Sequence, residues 1–490
     1  MTKPGESGAG ASLDLSDEEM LAAAGEICRI LGEQRSQRAT APVMDATASS
    51  PPAPCAPLPR KATPIAELLE ELRRSLLPSC RRNDSPRFFG YVCSGGSDVG
   101  TLADFLASGL NQNVTAWRSA PSATGMERLV IDWLRTITGM PEGSEGLLLG
   151  GGSPATLTAL AIARDAGAGA DIAAGGLLTL GREMTLYASD QVHMSVPRAA
   201  SLLGLGREAV RLIPARADFT MDLEALGRAI GEDRRAGRIP FCVVASAGTT
   251  ATGAVDPLAE IAGLCRREGL WMHVDAAYGG FAALAPSAAP LLAGLGDADS
   301  VSIDPHKWLH VPFDCGALIV RDPGAMQAPF SEVGAYARTR ESSGMEAWTF
   351  FERGPELSRR FRALKLWMVM RHFGTDRLGE MIESDLLTAR YLAGKIQDAA
   401  DMELLAPVPL SVVCFRITPA GLSESGLDRL NRGVLEALQS EAIVYPTHAE
   451  PGGRFAIRAC ILNPRSGINE MDLLLERTRL HARRLLGSGS

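Results

Sequence analysis

Leu270-Trp-Met-His-Val-Asp275-Ala-Ala-Tyr-Gly-Gly280 is a short apolar run that ends on a carboxylate and then on small residues. A run of this length closed by glycine reads as a strand buried on both faces, the kind found inside parallel sheets. Such sheets bind ligands at the carboxyl edge of their strands, so Asp275 stands where ligand chemistry occurs. A carboxylate buried there needs a cationic partner, and a protonated ring nitrogen or an arginine would serve. His273 and Asp275 share one strand face, a spacing that suits metal ligands, but no third ligand accompanies them and no metal is expected.

Downstream, Ser300-Val-Ser-Ile-Asp-Pro-His306-Lys307-Trp-Leu places a lysine directly after a second apolar strand. The chain has only five lysines, and arginine supplies the rest of its basic residues, so a lysine kept in apolar surroundings is informative. Desolvation and a neighbouring positive group both lower an amine's pKa and make it a better nucleophile toward an aldehyde. His306 and His310 are four apart, but Pro305 and the apolar flanks point to a turn rather than a metal-binding helix. Upstream, Gly150-Gly-Gly-Ser-Pro-Ala-Thr puts three glycines before a helix, with Ser153 expected as N-cap and Pro154 at the first helical position. Exposed main-chain N–H groups at such a start attract phosphate. A phosphate cradle, a strand-end acid and a strand-end lysine are the parts that pyridoxal 5'-phosphate requires.

Around these segments the pattern alternates helices (124–138, 154–165, 256–268) with buried strands (241–246, 300–303, 315–321). This predicts an α/β fold with a mostly parallel sheet covered on both faces. The C-terminal part differs. A helix is expected through Arg359–Phe373, and the runs from Leu410 and Arg454 alternate like half-exposed strands of a smaller α+β domain. Before the sheet, Ser16-Asp-Glu-Glu opens a helix to about Arg35. A Pro/Ala linker over 39–63 and an amphipathic helix at 65–77 follow. Two helices on an extended arm are expected to clasp the main body or a second subunit. The resulting division is 1–85 (tail, helices and linker), 86–375 (large cofactor domain) and 376–490 (small domain).

Composition limits the alternatives. Of 490 residues, 46% are hydrophobic and 22% charged, which is globular rather than disordered. The net charge of −8 with no dominant basic run argues against nucleic-acid binding. No apolar leader and no stretch long enough to span a bilayer is evident, so no membrane association and a cytoplasmic location are expected. Nine scattered cysteines without a C-x-x-C pair are neither a disulfide framework nor a structural zinc site.

The motifs Pro86-Arg-Phe-Phe-Gly-Tyr, Ser189-Asp-Gln-Val-His193, Gly248-Thr-Thr, His273-Val-Asp-Ala-Ala-Tyr, Asp304-Pro-His-Lys-Trp, Phe313-Asp-Cys and Arg359-Arg-Phe-Arg-Ala-Leu-Lys-Leu-Trp occur in this order. Together they resemble the group II pyridoxal-phosphate-dependent amino acid decarboxylases, the family of aromatic-L-amino-acid decarboxylase, from about residue 16 to 487. The resemblance implies a fold-type I enzyme with a seven-stranded sheet. It also implies a homodimer with active sites at the interface and an N-terminal segment intertwined with the partner. Lys307 would carry the cofactor as an aldimine, Asp275 would pair with its ring nitrogen, and His193 would stack on the ring. Gly152 and Ser153, helped by Asp304 and His306, would hold the phosphate, and Thr250 and Ala277 would line the ring. The implied reaction converts an L-amino acid to its amine and CO2 through an external aldimine and a quinonoid.

In similar enzymes a loop tyrosine ahead of the Arg-Arg-Phe-Arg motif returns a proton to Cα, and ungapped counting places it at Tyr336. Phenylalanine there accompanies oxidative formation of an aldehyde in the family, so Tyr336 favours amine formation; transamination fits the Asp304-Pro-His-Lys-Trp context poorly. The substrate pocket implied by position comprises Tyr91, Val92, Cys93, Asn113, Thr115 and Trp117. Asn113 and Thr115 replace apolar and aromatic groups, and Val92 and Cys93 stand where bulkier residues are common, so the pocket is more polar than in the aromatic-acid enzymes.

Overall fold

Seven short apolar runs pair into one sheet in the computed structural model, which describes residues 13–44, 58–330 and 348–487. They are β1 (Glu145–Leu149), β2 (Met184–Ser189), β3 (Val210–Ile213), β4 (Ile239–Ser246), β5 (Trp271–Asp275), β6 (Ser300–Ile303) and β7 (Gly316–Val320). The order across the sheet is β1-β7-β6-β5-β4-β2-β3. Only β7 runs against the others, so the carboxyl ends of β1, β2, β4, β5 and β6 share one edge. In register, Asp275 at the end of β5 lies between Ser246 of β4 and Ser302 of β6. Strands β2 and β7 are buried along their whole length, as a sheet covered on both faces requires.

The start of the helix Gly152–Ala168 departs from expectation. Gly151, not Ser153, precedes the first helical residue, and Ser153 caps nothing. The cause is backbone geometry. Gly151 has φ +137°, a region that favours glycine, and a Cβ there would lie 3.1 Å from the His306 ring. The segment Arg359–Arg362 is also not helical; the helix runs Ala363–Gln397, interrupted by non-helical Gly374. Arg359 is held outside it, because its guanidinium is buried against Glu127 and donates to the carbonyls of Val114 and Leu148.

In the C-terminal region β8 (Met402–Leu404), β9 (Val412–Ile417), β10 (Thr447–Ala449) and β11 (Ala456–Cys460) form an antiparallel sheet in the order β10-β11-β9-β8. Strands β9 and β11 are buried throughout rather than half exposed. One face packs on helices, and the other carries groups that reach toward β4's end. Arg458 donates to Thr250 O (2.8 Å), and the Cys414 thiol donates to Ala251 O (3.1 Å).

The N-terminal helix Asp17–Gln37 has a capping box between Ser16 and Glu19. The second helix is shorter than its amphipathic pattern, Ile65–Glu71, and then changes to π and 3-10 turns as it approaches Pro78. Both expose apolar side chains, including Leu21, Ile27, Leu31, Leu68 and Leu72. The helix Asp98–Leu110 exposes a similar stripe at Leu102, Phe105, Leu106 and Leu110. No described helix is long and apolar enough to cross a membrane.

Candidate active site

The shared carboxyl edge opens into a cavity of about 450 Å³. The turns after β1, β2, β4, β5 and β6 each deliver part of its lining, and Gly152, Ser153, His193, Thr250, Asp275, Ala277, Asp304, His306 and Lys307 all border it. On the side after β1, main chain replaces side chain. A Cβ at Gly152 would come within 2.9 Å of Ala277 Cβ and 3.1 Å of Asp304 Oδ2. The first turn of the helix Gly152–Ala168 therefore faces the cavity uncovered and without a side-chain cap, leaving the N–H groups of Gly152 and Ser153 for an anion while the Ala155 N–H donates to Gly151 O.

Asp275 is oriented by two donors to its Oδ1, the Ala277 N–H (3.1 Å) and the Ser302 hydroxyl (3.3 Å). His193 Nδ1 pairs with Ser195 Oγ at 2.9 Å. Burial pushes the His193 pKa below its usual value against the opposing pull of Asp275, which keeps the imidazole neutral. Lys307 Nζ lies 3.1 Å from Asp304 Oδ2, and His306 Nε2 is 3.5 Å from the same oxygen. The other Asp304 oxygen is buried with no hydrogen-bond partner. His306 Nδ1 is 2.7 Å from Cys315 O, its ring packs on Phe313 at 4.6 Å, and burial lowers its pKa too.

Of the expected substrate residues, Tyr91 and Val92 line the cavity. Cys93 sits behind them, its thiol directed at Ser94 O and its pKa raised by burial. Asn113, Thr115 and Trp117 do not border the cavity of their own chain. They brace the segment after residue 347. Asn113 Oδ1 accepts from Arg359 N, Thr115 O accepts from Phe350 N, and Trp117 N donates to Trp348 O. Tyr336 lies outside the described residues.

Some contributors carry no role assigned from sequence. Phe313 (present only as part of a family motif) and Ser195 touch the cavity, and the buried Arg458 bonds the carbonyls of Thr250 and Tyr91 behind its wall while Nη2 stays unpartnered. A visible signal for Arg458 was an arginine on a core strand, where a charge needs fixed partners.

Pyridoxal 5'-phosphate meets a matching donor set here: a primary amine, a carboxylate fixed at a strand end, a neutral imidazole and a bare helix start. The glycine cradle that a Cβ would fill and the volume of a small-molecule pocket agree with that fit.

Comparison with known proteins gives the same answer. Residues 52–418 match the pyridoxal-dependent decarboxylase conserved domain. The chain is 35% identical to aromatic-L-amino-acid decarboxylase of Bacillus atrophaeus over 84% of its length and 85% of that protein's. It is 32% identical to phenylacetaldehyde synthase of Petunia hybrida over 88% of its length and 87% of that protein's. The Oryza sativa TDC structure with PLP and tryptamine superposes with a TM-score of 0.90 at 30% identity, covering 97% of this chain and all of that one. A seven-stranded sheet that gathers these groups at one edge, and a domain match over most of the sequence, establish that the chain belongs to the pyridoxal-dependent decarboxylase family, a PLP-dependent carboxy-lyase of fold-type I.

Proposed function

We propose that this enzyme converts an L-amino acid, with aromatic side chains as the leading class, to the corresponding amine and CO2. The observation that carries the reading is the convergence of Lys307, Asp275, His193 and the uncovered start of the helix Gly152–Ala168 on one cavity. Lys307 Nζ is the covalent anchor for the cofactor. Asp275, held by Ala277 and Ser302, would keep a proton on the cofactor's ring nitrogen. His193, its pKa lowered by burial, would flank the ring without adding charge. Main-chain N–H groups of Gly152 and Ser153 would hold the phosphate, and Thr250 and Ala277 would line the ring. When bound, pyridoxal 5'-phosphate would supply a sink for the electron pair left on Cα as CO2 departs. Tyr336 then delivers its phenolic proton to Cα.

The enzyme acts as a homodimer. Leucines on the helix Asp17–Gln37 and the stripe on Asp98–Leu110 are the surfaces a second copy covers, and Asn113, Thr115 and Trp117 complete the pocket across that interface. Its scattered cysteines suit the cytoplasm.

A second reading has a specific observation behind it: the similarity to phenylacetaldehyde synthase. There the substrate carbanion would meet dioxygen and leave as an aldehyde. Aerobic incubation of the cofactor-loaded protein with each proteinogenic amino acid, measuring CO2, amine, aldehyde and hydrogen peroxide, separates the two. Amine equal to CO2 supports decarboxylation with Tyr336 as donor, and Tyr336→Phe should then suppress amine while cofactor remains bound. Aldehyde and peroxide in step with CO2 support the second reading. No CO2 from any substrate rejects both.

A further inference from the structure

Directly after Lys307, the Trp308 side chain points away from the cavity into the core and is fully buried. Its ring stacks on Tyr278 with centroids 4.9 Å apart, and its Nε1–H donates to Asp385 Oδ2 at 3.1 Å. Asp385 lies beyond the Gly374 break in the helix Ala363–Gln397 and is 1% exposed. Among the described residues it has no cationic partner. The indole is its one hydrogen-bond donor among the described residues, and Oδ1 has no partner. Burial accordingly pushes the carboxyl well above its usual range.

This differs from the other buried carboxyls. Asp256 accepts two main-chain N–H groups, from Met221 and Ser246, and Glu127 faces Arg359. An acid retained with a single indole as partner is a costly way to fill a core position, and a leucine of similar size would fill it without a polar group. What the acid achieves is local: it fixes the orientation of the residue next to the lysine. From the opposite side, the Ser94 hydroxyl donates to Lys307 O at 2.6 Å, and Lys307 N donates to Asp304 O at 3.0 Å. The Lys307 peptide is thus pinned on one side by Ser94 and on the other, through Trp308, by Asp385.

We propose that Asp385 is a positioning residue for Lys307, acting through the Trp308 indole to set the direction in which the lysine amine meets the cofactor. The inference rests on the reading of Lys307 as the covalent anchor, and it assigns a specific role in the site to a residue outside it.

The test uses the full-length protein, prepared without cofactor and then titrated with pyridoxal 5'-phosphate, as wild type, Asp385→Leu, Asp385→Asn, Trp308→Phe and the Asp385→Leu/Trp308→Phe double variant. Four quantities are read: the cofactor's near-visible absorbance, its Kd, kcat and KM. Asp385→Leu is expected to weaken cofactor binding about tenfold and lower kcat about tenfold, with KM changing less than about twofold, the size expected for losing one buried hydrogen bond next to the reacting group. Its absorbance band should shift. Asp385→Asn, whose amide oxygen still accepts from the indole, should recover most of the loss. The double variant should be no worse than the poorer single one, because both remove the same bond.

Wild-type spectrum, Kd and kcat in Asp385→Leu would overturn the proposal. So would an Asp385→Asn protein as impaired as the leucine variant, or single effects that multiply in the double variant. Should Asp385→Leu fail to fold, Trp308→Phe and Asp385→Asn decide alone: the first must weaken cofactor binding and the second must not. Lys307→Ala separates the layers. If it keeps the absorbance band, the anchor assignment fails; if it loses the band while Asp385→Leu behaves as wild type, only the positioning role fails.

Discussion

The carboxyl edge of the large sheet and the N-terminal helices satisfy their side chains in opposite ways. At the edge, partners lie within the same chain: Lys307 with Asp304, His193 with Ser195, Asp275 with Ala277 and Ser302. Along Asp17–Gln37 only Ile30 is buried, while Leu21 is 74% exposed and Met20, Ile27 and Leu31 also face outward. The edge is a preorganised reaction frame. The helices instead expose the apolar side chains that a second copy would cover in the homodimer proposed above.

The sharpest way to break this contrast is at the edge. Lys307→Ala should lower kcat by about 10⁴-fold, the scale of removing a covalent group, and abolish the visible band of bound cofactor without lowering Tm. Retained activity measured under cofactor saturation would end the assignment.

Next in size is the ion pair beneath the frame. Arg359 and Glu127 are both fully buried, so Glu127→Ala leaves a guanidinium in the core with part of its shell gone. A loss of about 3–5 kcal/mol is expected in urea unfolding. A loss below 1 kcal/mol would mean that the carbonyls of Val114 and Leu148 suffice.

The helices give the third test. On a free surface, Leu21→Glu with Leu31→Glu should change stability by no more than about 0.5 kcal/mol per site. If a second copy covers these leucines, the double variant should sediment as a monomer and lose activity. A dimeric, active variant would show that the cover lies elsewhere.

The smallest effect at neutral pH concerns protons. Burial pushes His273 and His310 down to about 4. An unfolded histidine titrates near 6.5, so between that pH and 4 the unfolded state binds more protons and stability falls as pH falls. Asp256, raised by burial to about 6, opposes this in part, since its folded form takes up a proton first. His273→Gln should make Tm fall less steeply between pH 6.5 and 4 than in wild type. An unchanged slope would mean that the ring is charged in the fold.

What sequence could reveal depended on how local the cause was. Asp275 and Lys307 follow strand-like runs directly, so strand pattern and residue type sufficed to place them at one edge. The helix start did not follow the side-chain rule for Ser153, because the backbone at 151 takes a positive φ that favours glycine and a Cβ there would crowd His306, which is distant in sequence. Arg359 looked helical by pattern, yet its hydrogen bonds to Val114, Glu127 and Leu148 hold it out of the helix. Asp385 acts on the site from the C-terminal region, where nothing in its own segment announces the contact, and Arg458 is marked only by a charge within a strand-like run. The burial of β9 and β11 has the same origin: their second face packs toward Ala251 and Thr250 rather than solvent.

The central claim, that Lys307 is the covalent anchor of pyridoxal 5'-phosphate, is tested most directly by borohydride reduction of the cofactor-loaded enzyme followed by peptide mass spectrometry. The account predicts one pyridoxyl-modified lysine, in the peptide spanning Asp304-Pro-His-Lys-Trp. Modification at Lys365 or another lysine instead, or none in an active preparation, would contradict it.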